Sequence, residues 1–178
     1  MIRRVAPGAL VLLFQHKTWA TLRLIEACRS LDDAQLAATI PGTFGTIRAT
    51  LQHLVAADEG YYARLTGERL AARLTDRPVP LDELAERTRR LGPRWEALAQ
   101  EPDVASREVV TSDGWRTVGA VLLAQAIHHS DDHRSHVLSI VGASGLALPG
   151  LDIGEDLDVW HHAIATGAMV RAEPGSAS

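Results

Sequence analysis

Thr117-Val-Gly-Ala-Val-Leu-Leu-Ala-Gln-Ala-Ile-His-His129-Ser-Asp-Asp-His133-Arg-Ser-His136-Val-Leu-Ser-Ile-Val141 contains four of the chain's eight histidines. It reads as one long helix, from about Thr117 to Val141, ending at Gly142. At about 100° per residue, His133 points some 40° to one side of His129 and His136 some 20° to the other. Val118, Leu122, Gln125, Ala126 and Ile140 share that face. Three imidazoles therefore sit in a largely apolar stripe, where each ring nitrogen must find a partner in place of water. Two arrangements satisfy them: a hydrogen-bonded polar layer or partly exposed groove, or a shared cation. The i, i+4 pair His129–His133 is the usual two-point grip of a helix on a divalent ion.

Two ligands rarely hold a metal alone, and a third is expected from a facing helix. Hydrophobic periodicity places a helix over about 46–66, stopping at Gly67, with Ile47, Leu51, Leu54, Tyr61 and Leu65 as its core stripe. About 100° away lie Thr46, Ala49, Thr50, His53, Ala56, Ala57 and Gly60. The small residues around His53 leave room for a ligand or for a closely approaching helix. His53 is the natural third ligand, with a packed or capping role as the plainer alternative. Three histidines around zinc or nickel leave coordination positions open, as in a reactive rather than a structural site.

A helix from about Gly8 to Ser30 carries Leu10, Leu13, Phe14, Thr21, Leu24, Cys28 and Leu31 on one stripe. Leu31-Asp32-Asp33 opens a loop or short extra turn. After the stiff connector Asp76–Pro80, a helix over about 81–99 carries Leu84, Thr88, Leu91, Trp95 and Leu98, with Pro93 expected to kink or divide it. Arg107–Trp115 reads as a small hairpin or a structured loop. A short C-terminal helix is expected over about 156–170, carrying Trp160. The expectation is an all-α fold, a four-helix bundle over residues 1–170 with a flexible tail at 171–178.

Composition narrows the function. The chain has 178 residues, 46% of them hydrophobic, and a net charge of −4. That suits one globular core and argues against nucleic acid as a partner. No apolar run is long enough for a membrane span. Arg3-Arg4 before the apolar run Val5–Phe14 superficially resembles a signal peptide, but no small-x-small cleavage site follows, so a cytoplasmic protein is expected. The single cysteine, Cys28, excludes an internal disulfide and reads as core. His128, His161 and His162 read as surface residues and Arg134 as a surface or ion-pair residue. His16 reads similarly, with an approach to the site from the first helix as the alternative. Asp131 and Asp132 fit a solvated face better than a role in orienting ligands. No phosphate loop, nucleophile elbow or H-E-x-x-H motif is present.

Gly42-Thr43-Phe44-Gly45-Thr46-Ile47-Arg48 with Thr50-Leu51-Gln52-His53-Leu54 resembles the second helix of the DinB/YfiT-like superfamily. His129-Ser-Asp-Asp-His133-Arg134-Ser135-His136-Val137 is similar to its later helix, and Lys17-Thr18-Trp19-Ala20 fits its first. The likeness covers about residues 8–165. It implies a four-helix bundle with an up-up-down-down type of connection, often a homodimer, and a divalent metal held by His53, His129 and His133. It also implies transfer or isomerisation chemistry on small molecules with a thiol cosubstrate such as mycothiol, bacillithiol or glutathione. Ser135-His136 stands where the family commonly has Gly-Gln. That departure bears on substrate, and leaves His136 as a fourth ligand, a groove residue or a catalytic proton carrier. Metal-dependent hydrolysis uses the same three histidines, and a non-catalytic metal- or ligand-binding bundle would look alike at this level.

Overall fold

The computed structural model describes residues 7–69, 74, 78–111, 114–152 and 156–171. Arg3, Arg4 and Val5, the Asp76-Arg77 part of the connector, Asp113 and the tail beyond residue 171 lie outside the described residues. Among the described residues the fold is all-α apart from one hairpin. Its elements are α1 (Ala9–Cys28), α2 (Asp33–Leu36), α3 (Ile47–Thr66), α4 (Leu81–Leu98), β1 (Glu108–Val110), β2 (Arg116–Val118), α5 (Gly119–Ala143) and α6 (Val159–Ala165).

Local chemistry sets the boundaries. The Thr46 side chain accepts from Ala49 N–H, and Gly67, at φ 75°, closes α3 in the left-handed conformation. Asp32 and Gln35 form a reciprocal capping box, and of the loop or short extra turn expected after α1 it is the extra turn that forms, as α2. Helix α4 continues through Pro93 and is not divided. Beside that proline, Gly92 lets α1 come close: a Cβ there would meet Thr18 Cγ2 at 2.5 Å. The hairpin exists, with Glu108 opposite Val118 and Val110 opposite Arg116. It occupies Thr117 and Val118, so α5 begins two residues later than its periodicity indicates. Helix α6 is shorter than the expected 156–170.

Helix α1 packs against α4 and α5, and α3 packs against the same two helices. Phe14 stacks on Trp95 while Arg29 pairs with Asp82, so α1 and α4 run antiparallel. Gln52 bonds Val79 and Glu59 pairs with Arg87, so α3 and α4 run parallel. His53 meets His129 and Tyr61 meets Gln125, so α3 and α5 run antiparallel. The order is thus up-down-down-up, which corrects the up-up-down-down connection implied by resemblance. The physical reason is the long link between α3 and α4, which lets the chain start α4 in the direction of α3.

Two apolar clusters fill the bundle. One contains Leu24, Cys28, Leu51, Leu84 and Ile140. The other contains Phe14, Tyr62, Trp95, Leu98 and Leu122. Tyr62, not Tyr61, is the core tyrosine of α3. Between the clusters, every long helix contributes buried polar residues: Lys17 and Thr21 from α1, Asp58 from α3, Thr88 from α4, and Ser130, His133 and Arg134 from α5. Lys17, the chain's only lysine, is 2% exposed; it forms an ion pair with Asp58 and lies 4.8 Å from the Trp95 ring centre. Burial pulls its pKa below the ordinary lysine value, against the pull of the adjacent carboxylate.

Removing one partner of this pair strands a buried charge. Asp58→Ala is expected to destabilise the protein by about 3–5 kcal/mol in urea unfolding. The double variant Lys17→Met/Asp58→Leu should recover most of that loss, because it removes both charges at similar volume.

Candidate metal centre

His53 stands on α3, two turns in from the Thr46 cap, and His129 and His133 on successive turns of α5. Antiparallel packing of these helices brings the three rings together. Ring centres are 5.0 Å apart for His53–His129, 4.8 Å for His53–His133 and 4.2 Å for His129–His133. One nitrogen from each ring lies within 4.8 Å of the other two. The Nε2 atoms of His53 and His129 are 3.1 Å apart. That is near the ~3.3 Å edge of a tetrahedron with metal–nitrogen bonds of about 2.0–2.1 Å.

Aromatic rings fix the orientation. Phe44, from the loop before α3, stacks on His53 at 4.0 Å and meets His133 edge-on at 5.1 Å. Tyr61 meets His129 edge-on at 5.5 Å and accepts a hydrogen bond from Gln125. Phe44 is 49% exposed, so the triad sits at the bundle surface under a single ring.

All three imidazoles are held neutral. Burial, with the neighbouring rings His133 and His53 adding to it, pushes the His129 pKa down to about 4. Burial lowers His53, and burial with His53 and His136 lowers His133. A neutral imidazole offers a lone pair, which is the form a metal requires. Among the described residues the buried Nδ1 atom of His133 has no hydrogen-bond partner, a cost that ligation or a bound group would remove. The residues present fit a divalent cation: an all-nitrogen donor set, neutral at ordinary pH, suits zinc, nickel, copper or iron better than magnesium or calcium.

His136 is not part of this triad. Its ring centre lies 5.2 Å from that of His133, and it forms a separate group with Asp132 and His133. Its Nε2 is 3.9 Å from Asp132, and its buried Nδ1 has no hydrogen-bond partner among the described residues.

Other polar residues depart from their sequence reading. Of the two readings of Arg134, surface or ion pair, the ion pair with Asp131 is present but the residue is buried: it is 3% exposed and also donates to Thr21 Oγ1 and to the Lys17 carbonyl. His162 is also buried, packed 5.4 Å from Trp19 and 5.9 Å from His16, because α6 folds back over α1. His16 is buried by the same segment, with Nε2 bonded to the Leu157 carbonyl at 2.8 Å, and does not join the triad. His161 is half-exposed and bonded to Asp158, and His128 is exposed. Cys28 lies in the core, where burial pushes its thiol pKa up to about 12. The one local sign of the Lys17–Asp58 pair is a lone lysine in the apolar stripe of α1.

A model of the DinB family matches residues 1–163. The chain belongs to the DinB family. Among solved structures it is similar to a DinB-like protein from Bacillus cereus ATCC 10987, with a TM-score of 0.58 at 20% identity, covering 77% of this chain and 91% of that one. At that identity the likeness shows the fold alone. No curated protein sequence matches the chain. As a DinB protein it has a histidine cluster able to bind a metal ion. Among the described residues, no helix is long and apolar enough to cross a membrane.

The lowered pKa values give a stability signature. The unfolded chain takes up protons at these histidines near pH 6.5, whereas folded His129 does so only near pH 4. Between these values the unfolded state binds more protons, so the metal-free protein should lose stability as pH falls from about 6.5 to about 4. Urea midpoints measured in chelator across that window should fall, and His129→Ala should flatten the slope.

Proposed function

We propose that this DinB protein is a metal-dependent enzyme that holds zinc or nickel on His53, His129 and His133 and transfers a low-molecular-weight thiol to a small electrophilic substrate. The single observation that carries the reading is the convergence of three neutral imidazoles, with no carboxylate or thiolate in the set, at the protein surface. A bound divalent cation would supply Lewis acidity, which converts a coordinating thiol to the thiolate at neutral pH. The chain's residues then have the following roles. His53, His129 and His133 hold the cation, and Phe44 and Tyr61 keep two of those rings from turning. Phe44 also shields one side of the site from water. His136 takes up the thiol proton at Nε2, which lies 3.9 Å from the Asp132 carboxylate. The mycothiol, bacillithiol or glutathione class of cosubstrate follows from the family resemblance. A cytoplasmic homodimer belongs to the same reading.

Protein purified without a histidine tag should carry one divalent cation per chain by elemental analysis. His53→Ala and His129→Ala should each weaken cation binding by more than the ~10–100-fold lost when only a supporting group is removed. The loaded protein should conjugate one of these thiols to an aromatic halide. His136→Ala should keep the cation and lose turnover. Full cation occupancy without conjugation by any of the thiols would overturn the transferase reading. Ester or amide cleavage by the same preparation would then identify a hydrolase, and an absence of both a metal-binding bundle without chemistry.

A further inference from the structure

On the far side of α5 from the histidine triad, a cleft of about 740 Å³ opens between α1 and α5, walled at one end by Leu157–Val159 at the start of α6. Such a volume falls within the ~300–1,000 Å³ common to small-molecule sites. Asp131 and Ile127 of the cleft each point about 160° away from His129 around the helix, so the two sites share a wall and no residue. Leu10 and Leu13, which belong to the apolar stripe of α1, are only half-buried because they line this cleft with Leu123 and Ile127. The third wall is held in place: the Leu157 carbonyl is bonded to His16, and His162 packs on Trp19.

Arg134 lines the cleft as a buried cation with donors to spare. A guanidinium has five N–H groups. Three bonds are made, two from Nη1 to the Lys17 carbonyl and Thr21 Oγ1 and one from Nη2 to Asp131. Among the described residues the Nε–H and one Nη2–H have no acceptor. Among the described residues the carboxylate paired with Arg134 is Asp131, whose side chain is 70% exposed, with Asp58 acting on it from farther off. Water screens that pairing and can take Asp131 over at little cost, whereas an anion bound inside the cleft would meet the same guanidinium in a drier setting. Lys17 also lines the cleft, but its charge is answered by Asp58. Asp158 stands at the wall and is exposed.

We propose that this cleft is a second binding site, for an organic anion with an apolar body. The ligand class is an alkyl or aryl monocarboxylate or sulfonate, its acid group on Arg134 and its body along Leu10, Leu13, Leu123 and Ile127. The site is independent of any cation at the histidines.

Anilinonaphthalenesulfonate, an aryl sulfonate, tests it on the full chain. Its fluorescence should rise saturably, one probe per chain, with the near-ultraviolet circular dichroism of the native protein intact. Dodecanoate should displace the probe, and dodecanol should do so about 10–100-fold less well, the difference a charge-assisted hydrogen bond makes. Arg134→Gln should abolish the preference for the acid. Because that residue is buried, a second variant guards against misfolding: Ala124→Trp, at an exposed position of the cleft wall, should block probe binding while leaving melting temperature and cation content unchanged. Equal displacement by dodecanol and dodecanoate would overturn the proposal. So would full probe binding by Ala124→Trp. Probe binding that occurs only as a dimer dissociates in size-exclusion chromatography would also overturn it, and would make the cleft an interface between two copies.

Discussion

A polar layer crosses the middle of the bundle, and the arrangement of the four long helices is tied to it. Lys17, Asp58, Thr88, Ser130, His133 and Arg134 lie between two apolar clusters, so each helix passes from one cluster through the layer into the other. Buried charges tolerate little displacement, because an unpaired one is far more costly than a lost apolar contact. Lys17 must meet Asp58 across the bundle, and Arg134 must meet Thr21 and the α1 backbone. These pairings fix the height and rotation of α1, α3 and α5 more sharply than leucines could, since leucines accept several registers at similar energy. Helix α4 is set by the stacking of Trp95 on Phe14 and by the close approach at Gly92.

Once α5 is fixed, its two faces are fixed with it. Arg134 is drawn toward α1, which turns His129 and His133 toward α3 and His53. A rotation that exposed Arg134 would also separate the imidazoles. The histidine face and the buried cation are in this sense one constraint. The same geometry explains why three histidines with depressed basicity can share so small a space: burial and mutual repulsion keep all of them neutral, so no charge is trapped among them. The site is held by rings on its flanks, Phe44 and Tyr61, rather than by carboxylates, and the chemistry available to it is that of an open all-nitrogen donor set.

Much of this was legible from local pattern. The 3.6-residue periodicity, the Thr46 cap, Gly67 and the His129–His133 spacing act within a turn or two of the chain, and such local signals locate all four bundle helices to within two residues. His53 stood out because its neighbours are small. What escaped notice depends on partners distant in sequence. His162 reads as solvated until α6 is laid across α1, and His16 is satisfied by a carbonyl 141 residues away. Tyr61 and Tyr62 differ by one step around the helix, and a choice between them needs the position of Trp95.

The chain alone dictated helices, their approximate ends, and which face of each is apolar, because those properties arise from interactions between residues three or four apart. It also placed two imidazoles on one side of a helix. Direction, adjacency and the fate of the charged side chains came from packing: up-down-down-up order, the pairing of Lys17 with Asp58, the burial of Arg134 and the meeting of His53 with α5. Each of these joins residues at least 27 positions apart. No periodic signal within a single helix records which other helix will lie against it.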